Sequence, residues 1–207
     1  MNPEEGKVAG VPGYSIIADV SETLEAAIDA ALVVLDPANP PQAVIHDFAG
    51  NIPTNPPSMV LFLYEVVQDP MTRNRPPLRT DVAGGAQLTK PPLPLVLRYL
   101  LTPFAGDRVT EQRMLARTMQ ALYDRPIKLG PDLVGDPPPL GLAGTNIALK
   151  IHLSMLTLEE RTRIWYSIQR PYRLSVVYEV RLAELDAEAL TQVSTVRSRQ
   201  LENAVPA

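Results

Sequence analysis

Apolar residues Ile17, Val20, Leu24, Ile28, Ala31 and Leu35 recur at spacings of three and four over 15–36, the period of one helix face. Asp36-Pro37 is the expected stop, because proline disfavours the helical region at the residue before it. The same segment carries Asp19, Glu22, Glu25 and Asp29, read as a solvated acidic ridge. AVIHDF (43–48) is a short strand candidate. MVLFLYEVV (59–67) and PLVLRYLLT (94–102), the latter with Arg98 as its only charge, are apolar at nearly every position, as expected of central strands covered on both faces. Between them, QDPMTRNRPPLRTDVAGGAQLTKPP (68–92) is a proline-rich excursion too polar for a core, the kind of loop that is either functional or mobile.

A second helix is expected over 110–124, with Leu115, Met119 and Leu122 on one side and Arg113, Arg117, Gln120 and Asp124 on the other, closed by Arg125-Pro126. NIALKIHLSML (146–156) alternates, so its strand has one wet face. Thr157 and Glu160 have capping-box spacing, and Glu159 and Arg163 are placed for an i,i+4 pair. That short helix stops before Arg170-Pro171. From 172 to 184 the period becomes two, with Tyr172, Leu174, Val176, Tyr178, Val180 and Leu182 on one face. At the rise of a strand this segment spans about 40 Å, roughly twice the usual length. One end is expected either to outrun its sheet, leaving N–H and C=O groups for another chain, or to contain a bend or bulge. The element order predicts a single α/β (α+β) domain, a mixed sheet flanked by helices. The boundaries read as an N-terminal extension over 1–13, the domain over 14–186 and a polar tail over 187–207.

Composition narrows the function classes. The 22 prolines, about twice the usual share of ~5%, cluster between the periodic segments, so they read as stiff loops around an intact core. A net charge of -4 without a run of one sign gives no footprint for nucleic acid or an anionic membrane. No apolar run approaches a membrane span, and the opening MNPEEGKVAG has no hydrophobic core, so neither a span nor a signal peptide is expected and the chain reads as cytoplasmic. The absence of cysteine excludes disulfides, thiolate catalysis and cysteine metal sites.

Candidate chemistry is sparse. His46 and His152 both fall inside expected strands. Adjacent strand side chains point to opposite faces, which argues against a His46-Asp47 dyad, and His152 has no second histidine in range for a metal. No G-x-S-x-G, P-loop or H-E-x-x-H motif occurs. Glu159-Glu160 is explained by helix capping and the first-turn dipole. Trp165 falls on a helix stripe with Ile164 and Ile168, and is expected to be a structural anchor.

Three ordered blocks, VLFLYEVVQDPMTRN (60–74), PLVLRYLLTPFAGDRVTEQRMLARTMQALYDRP (94–126) and LTLEERTRIWYSIQRPYRLSVVYEVRLAEL (156–185), resemble the cap, or tube-terminator, proteins of extracellular contractile injection systems. The likeness is to their N-terminal cap domain and covers about 14–186. It implies a non-enzymatic subunit without cofactor or metal, related in fold to phage tail terminators, that forms a sixfold ring on the tube and sheath end remote from the baseplate. The implied partners are further copies of the chain, the sheath protein, the inner tube protein and a further cap protein. The candidate contact residues are Arg73, Asn74, Arg170, Tyr172, Arg173 and Arg181, whose donors suit carbonyls or carboxylates at a layer end. The competing reading is a small-molecule-binding or enzymatic α/β domain with a pocket beneath the 68–92 excursion.

Overall fold

The computed structural model describes residues 13–72, 74, 76–82, 85–89, 91–138, 140–185 and 190–193. The elements run α1 (Ile16–Leu32), β1 (Gln42–Ile45), β2 (Ser58–Gln68), β3 (Leu78–Val82), β4 (Gly85–Thr89), β5 (Leu93–Phe104), α2 (Arg108–Asp124), β6 (Ile127–Lys128), β7 (Leu149–Leu153), α3 (Leu158–Ser167), β8 (Val176–Leu185) and β9 (Leu190–Val193). Six strands form one sheet in the order β1-β2-β5-β8-β7-β6. β1 pairs parallel to β2, and the other neighbours are antiparallel.

Strand periodicity places the core. On β5, Leu95, Leu97, Tyr99 and Leu101 point to one face and join Tyr178, Val180 and Leu182 of β8. There they meet Ile16, Val20, Leu24, Ile28 and Leu32 of α1 and Met114, Leu115 and Leu122 of α2. Removing these apolar surfaces from water is the main favourable term in folding. The opposite sheet face is covered by α3 and the 48–52 turn through Phe48, Val60, Leu100, Trp165 and Val177. Farther along that face Arg98 lies half-exposed, donating to Glu65 at 2.6 Å and Glu179 at 3.0 Å. Its charge is tolerated because that part of the sheet is open, where the sequence suggested cover on both sides.

The acidic residues of α1 are not a plain solvated ridge. The Asp29 carboxylate accepts from the Ala43 N–H at 2.5 Å and Glu25 from the Ile45 N–H at 3.3 Å. These amides belong to β1, the sheet's edge, so α1 closes an edge that would otherwise offer free donors. Asp19 is buried at 2% exposure and accepts from the Leu142 N–H at 2.7 Å and the Asp136 N–H at 3.3 Å, holding the 134–142 loop to α1.

The proline-rich excursion contains the β3–β4 hairpin, and β9 pairs with β4 to make a second sheet of three strands. β9 lies within the stretch that the sequence reads as a polar tail. The sequences LRTDV, GAQLT and LTQV show little apolar alternation, so they announce strands weakly, although Gly84-Gly85 between two short runs is a hairpin signal.

Helix starts behave as their sequences require. Asp107 caps α2, accepting from the Val109 and Thr110 N–H groups at 2.9 Å each. Thr157 and Glu160 form a reciprocal capping box on α3. The Asp107 carboxyl is held below its ordinary 3.8 by the Thr110 hydroxyl and then the turn's amides. Glu160 is held below 4.5 by the Thr157 N–H and then its hydroxyl. Both folded values are depressed, so this stabilisation is present above the ordinary carboxylate range and lost as pH falls through the folded values. An NMR titration of the two carboxyl groups is expected to give midpoints below 3.8 and 4.5, and unshifted midpoints would show that the caps do not persist in solution.

Candidate assembly surface

Trp165 organises the face that carries Arg170, Tyr172 and Arg173, three of the six expected contact residues. It is 1% exposed, and its Nε1–H donates to Ser175 Oγ at 3.1 Å. Its ring lies 5.1 Å from that of Phe48 and 6.4 Å, edge-on, from that of Tyr172. Phe48 has φ 65°, a left-handed conformation that a bulky residue adopts only under constraint. The constraint is visible: His46 Nδ1 accepts from the Phe48 N–H at 2.8 Å. On the other side Arg170 donates to the carbonyls of Phe48 at 2.9 Å and Gly50 at 2.7 Å.

Arg173 lies over the Phe104 ring, 4.2 Å from its centroid, and pairs with Glu111. Glu111 is itself buried and also receives Arg108 at 2.8 Å. Arg170, Tyr172 and Arg173 thus converge around a cleft of about 190 Å³ with Phe48, Phe104 and Trp165. Arg181 lies toward the other end of β8, 3.8 Å from Asp69 and 4.0 Å from Glu179. Asn74 is exposed, and Arg73 lies outside the described residues. The arginines at 170, 173 and 181 are therefore already engaged within the subunit, which the sequence could not indicate.

β8 starts at Val176 and not at Tyr172. It pairs with β5 from Val176↔Leu101 to Leu93↔Leu185, with a register shift near its end, and with β7 on its other side. The expected overhang is therefore replaced by the irregularity. Residues 172–175 are turned toward Trp165 and Glu111, and the strand they precede lies in the sheet interior.

The less protected edge belongs to β7. Its neighbour β6 is Ile127–Lys128 alone, and the Ile151 N–H donates to the Pro126 carbonyl at 2.7 Å. Past that point Leu153 is 49% and Met155 98% exposed. Alongside runs a groove of about 480 Å³ formed by Met119, Leu122, Tyr123, Pro126, Ile151 and Leu153, with Tyr123 itself 85% exposed. Apolar wall and open strand edge are the two features a strand-adding partner uses. Strand alternation alone could not reveal this, since it placed Leu153 among the covered residues.

His46 Nδ1 lies 3.7 Å from Asp47 Oδ1, so the two are not held on opposite strand faces as the sequence suggested, and that nitrogen accepts the Phe48 N–H. His46 lies beyond the end of β1, where it serves the Phe48 turn, and not inside the strand. His152 is exposed on β7, opposite Glu179 in register. Among the described residues no group of three or more His, Asp or Glu could hold a metal, and no helix is long and apolar enough to cross a membrane.

The model of the Pvc16 N-terminal domain family matches residues 19–199. Among solved structures, the chain is similar to the sheath/tube terminator, in the extended state, of the extracellular contractile injection system PVC. The identity is 19% and the TM-score 0.58, over 95% of this chain and 67% of that one. It is also similar to the tube-terminating cap of the anti-feeding prophage, at 16% identity and TM-score 0.54, over 90% of this chain and 60% of that one. The chain thus spans about two thirds or less of the length of each. A search of curated proteins finds no match.

Proposed function

The chain belongs to the Pvc16 N-terminal domain family, and from that premise we propose that it is a structural cap subunit of a contractile injection system. It forms a homo-oligomeric ring, a hexamer, on the distal end of the tube and sheath, and is assembled in the cytoplasm as part of the particle. The family match over 19–199 carries this reading, and the fold shared with a sheath/tube terminator and a tube-terminating cap supports it. The chemistry asked of such a subunit is that of surfaces. A tube or sheath adds identical layers through contacts that never close, so growth stops when a different subunit occupies the exposed end without reproducing it.

The β7 edge and its apolar groove are the place for a neighbour's strand to add, with main-chain hydrogen bonds supplying affinity and Tyr123, Leu153 and Met155 supplying apolar contact. Arg170, Tyr172 and Arg173 form a polar contact region around the α3 end, Arg181 a separate one beside Asp69, and Arg73 and Asn74 of the 68–92 segment remain proposed contacts. A further cap protein is a proposed additional partner. The family match and the fold shared with the two solved terminators favour the structural reading over a ligand-binding one.

Deleting the protein is expected to give particles whose sheaths are abnormally long, variable or unstable at the distal end. Length distributions from electron micrographs check this. Normal-length, stable particles in the complete absence of the chain would show that it is not the terminator.

A further inference from the structure

Where α1, the C-terminal half of α2 and the 128–134 segment converge, they enclose a groove of about 540 Å³. One wall is small and apolar, from Ala27, Ala30 and Ala31, and the other carries Arg117, Arg125 and Lys128. Lys128 is the unusual member. It stands opposite Leu149 in register, so its stem points to the helix-covered face of the sheet, and the residue is only 7% exposed. A lysine can bury its stem while its ammonium reaches water, and Lys128 Nζ is not among the buried unpartnered polar atoms, so its charge opens into the groove. Among the described residues Lys128 makes neither an ion pair nor a side-chain hydrogen bond, although Asp124 and Asp132 line the same groove. Arg117 spends its donors on the Ala31 carbonyl and on Gln120. Arg125, at the α2 terminus, is exposed.

We propose that this groove is a binding site for a peptide carboxylate, an Asp or Glu side chain flanked by small or apolar residues, supplied by a different protein of the assembly. The alanine wall accepts the apolar flank, and Lys128 with Arg125 takes the charge. A polyanion fits poorly, because Asp124 and Asp132 line the groove and Glu22 is exposed on α1, the helix that forms its apolar wall. A second copy of the chain is a poor source. Its described carboxylates at 25, 29, 36, 47, 65, 107, 111, 159, 160 and 179 already accept hydrogen bonds within the subunit. Those at 22, 124 and 132, which do not, belong to the α1–α2 groove region itself, where a concave surface cannot enter its own copy. That the donor is a tube, sheath or further cap protein rests on the function proposed above. The carboxylate chemistry does not.

Two measurements separate these levels. First, the isolated full chain is titrated by NMR with the blocked peptide Ala-Glu-Leu-Ala and with its Gln counterpart. Saturable shifts at Ala27, Ala30 and Lys128 are expected, at least about fivefold weaker for the Gln peptide and abolished in Lys128→Met, which keeps the buried stem. Equal responses to both peptides, no response, or tighter binding of a short oligonucleotide would overturn the proposal. Second, zero-length carbodiimide coupling in purified particles is expected to join Lys128 to an Asp or Glu of another protein. Coupling to Asp124 or Asp132 of its own chain, or to a second copy, would overturn the assigned source. Particles that lack the chain would overturn the cap function while leaving the titration to decide the carboxylate site.

Discussion

Trp165→Ala is expected to destabilise the fold by about 3–5 kcal/mol, the usual cost of truncating a fully buried large aromatic. Trp165 is 1% exposed and stands among Phe48, Val60, Leu100 and Val177, so its loss leaves a cavity in the small core that fixes α3 to the sheet. Two further losses add to the cavity. Ser175 Oγ, fully buried, loses the indole N–H, and Phe48 loses one of the rings that hold it at φ 65°. For a chain of this length that loss corresponds to a fall in melting temperature of roughly 6–20 °C, readable by circular dichroism. Failure to join particles would then follow from misfolding. Should the variant keep its melting temperature and still fail to assemble, Trp165 would be an interface anchor and not the fastening of α3.

Asp19→Ala is expected to cost about 2–4 kcal/mol, because it strands two amide donors in a region closed to water. The carboxylate accepts from Leu142 and Asp136, and the backbone is built tightly around it. A Cβ at Gly141 would stand 2.0 Å from Asp19 Oδ2, and one at Gly135, where φ is +117°, would stand 2.3 Å from Asp19 Cγ. Gly135→Ala is therefore expected to be severe in the native background, through both the collision and the left-handed backbone. In the Asp19→Ala background the contacts with Cγ and Oδ1 vanish, but position 19 Cβ still stands 2.6 Å from the new Cβ. A double-mutant cycle should therefore show partial coupling, larger with Asp19→Gly, where only the backbone part of the penalty persists. Additive denaturation free energies would show that close packing against Asp19 does not hold the 134–142 loop. Glycine at 135 and 141 has a packing reason that no turn pattern displays.

The functional surface was less legible than the fold. The arginines at 170, 173 and 181 read as available in the sequence, yet Arg170 donates to the Phe48 and Gly50 carbonyls, Arg173 pairs with Glu111, and Arg181 stands 3.8 Å from Asp69 and 4.0 Å from Glu179. Their partners are as much as 122 residues away in the chain, so nothing local could disclose them. The β7 edge was hidden for a related reason. Whether a strand is an edge depends on which strands pair with it, and alternation reports only which of its faces is apolar. A strand of two residues, β6, is too short for any period to register.

The helices, the long strands and the Thr157–Glu160 capping box were legible in the sequence, whereas the Asp107 cap that starts α2 two residues early was not. Periodicity and capping arise from residues three or four apart in a helix and two apart in a strand, so the information is local. The sequence also carried the family resemblance, in blocks whose order along the chain matters. Tertiary structure alone decided the sheet order, the β3-β4-β9 sheet, the use of α1 carboxylates to close β1, the burial of Asp19 and the isolation of Lys128. Each of these depends on groups brought together from distant parts of the chain, where hydrogen bonds and desolvation act between neighbours in space and leave no fixed spacing in sequence.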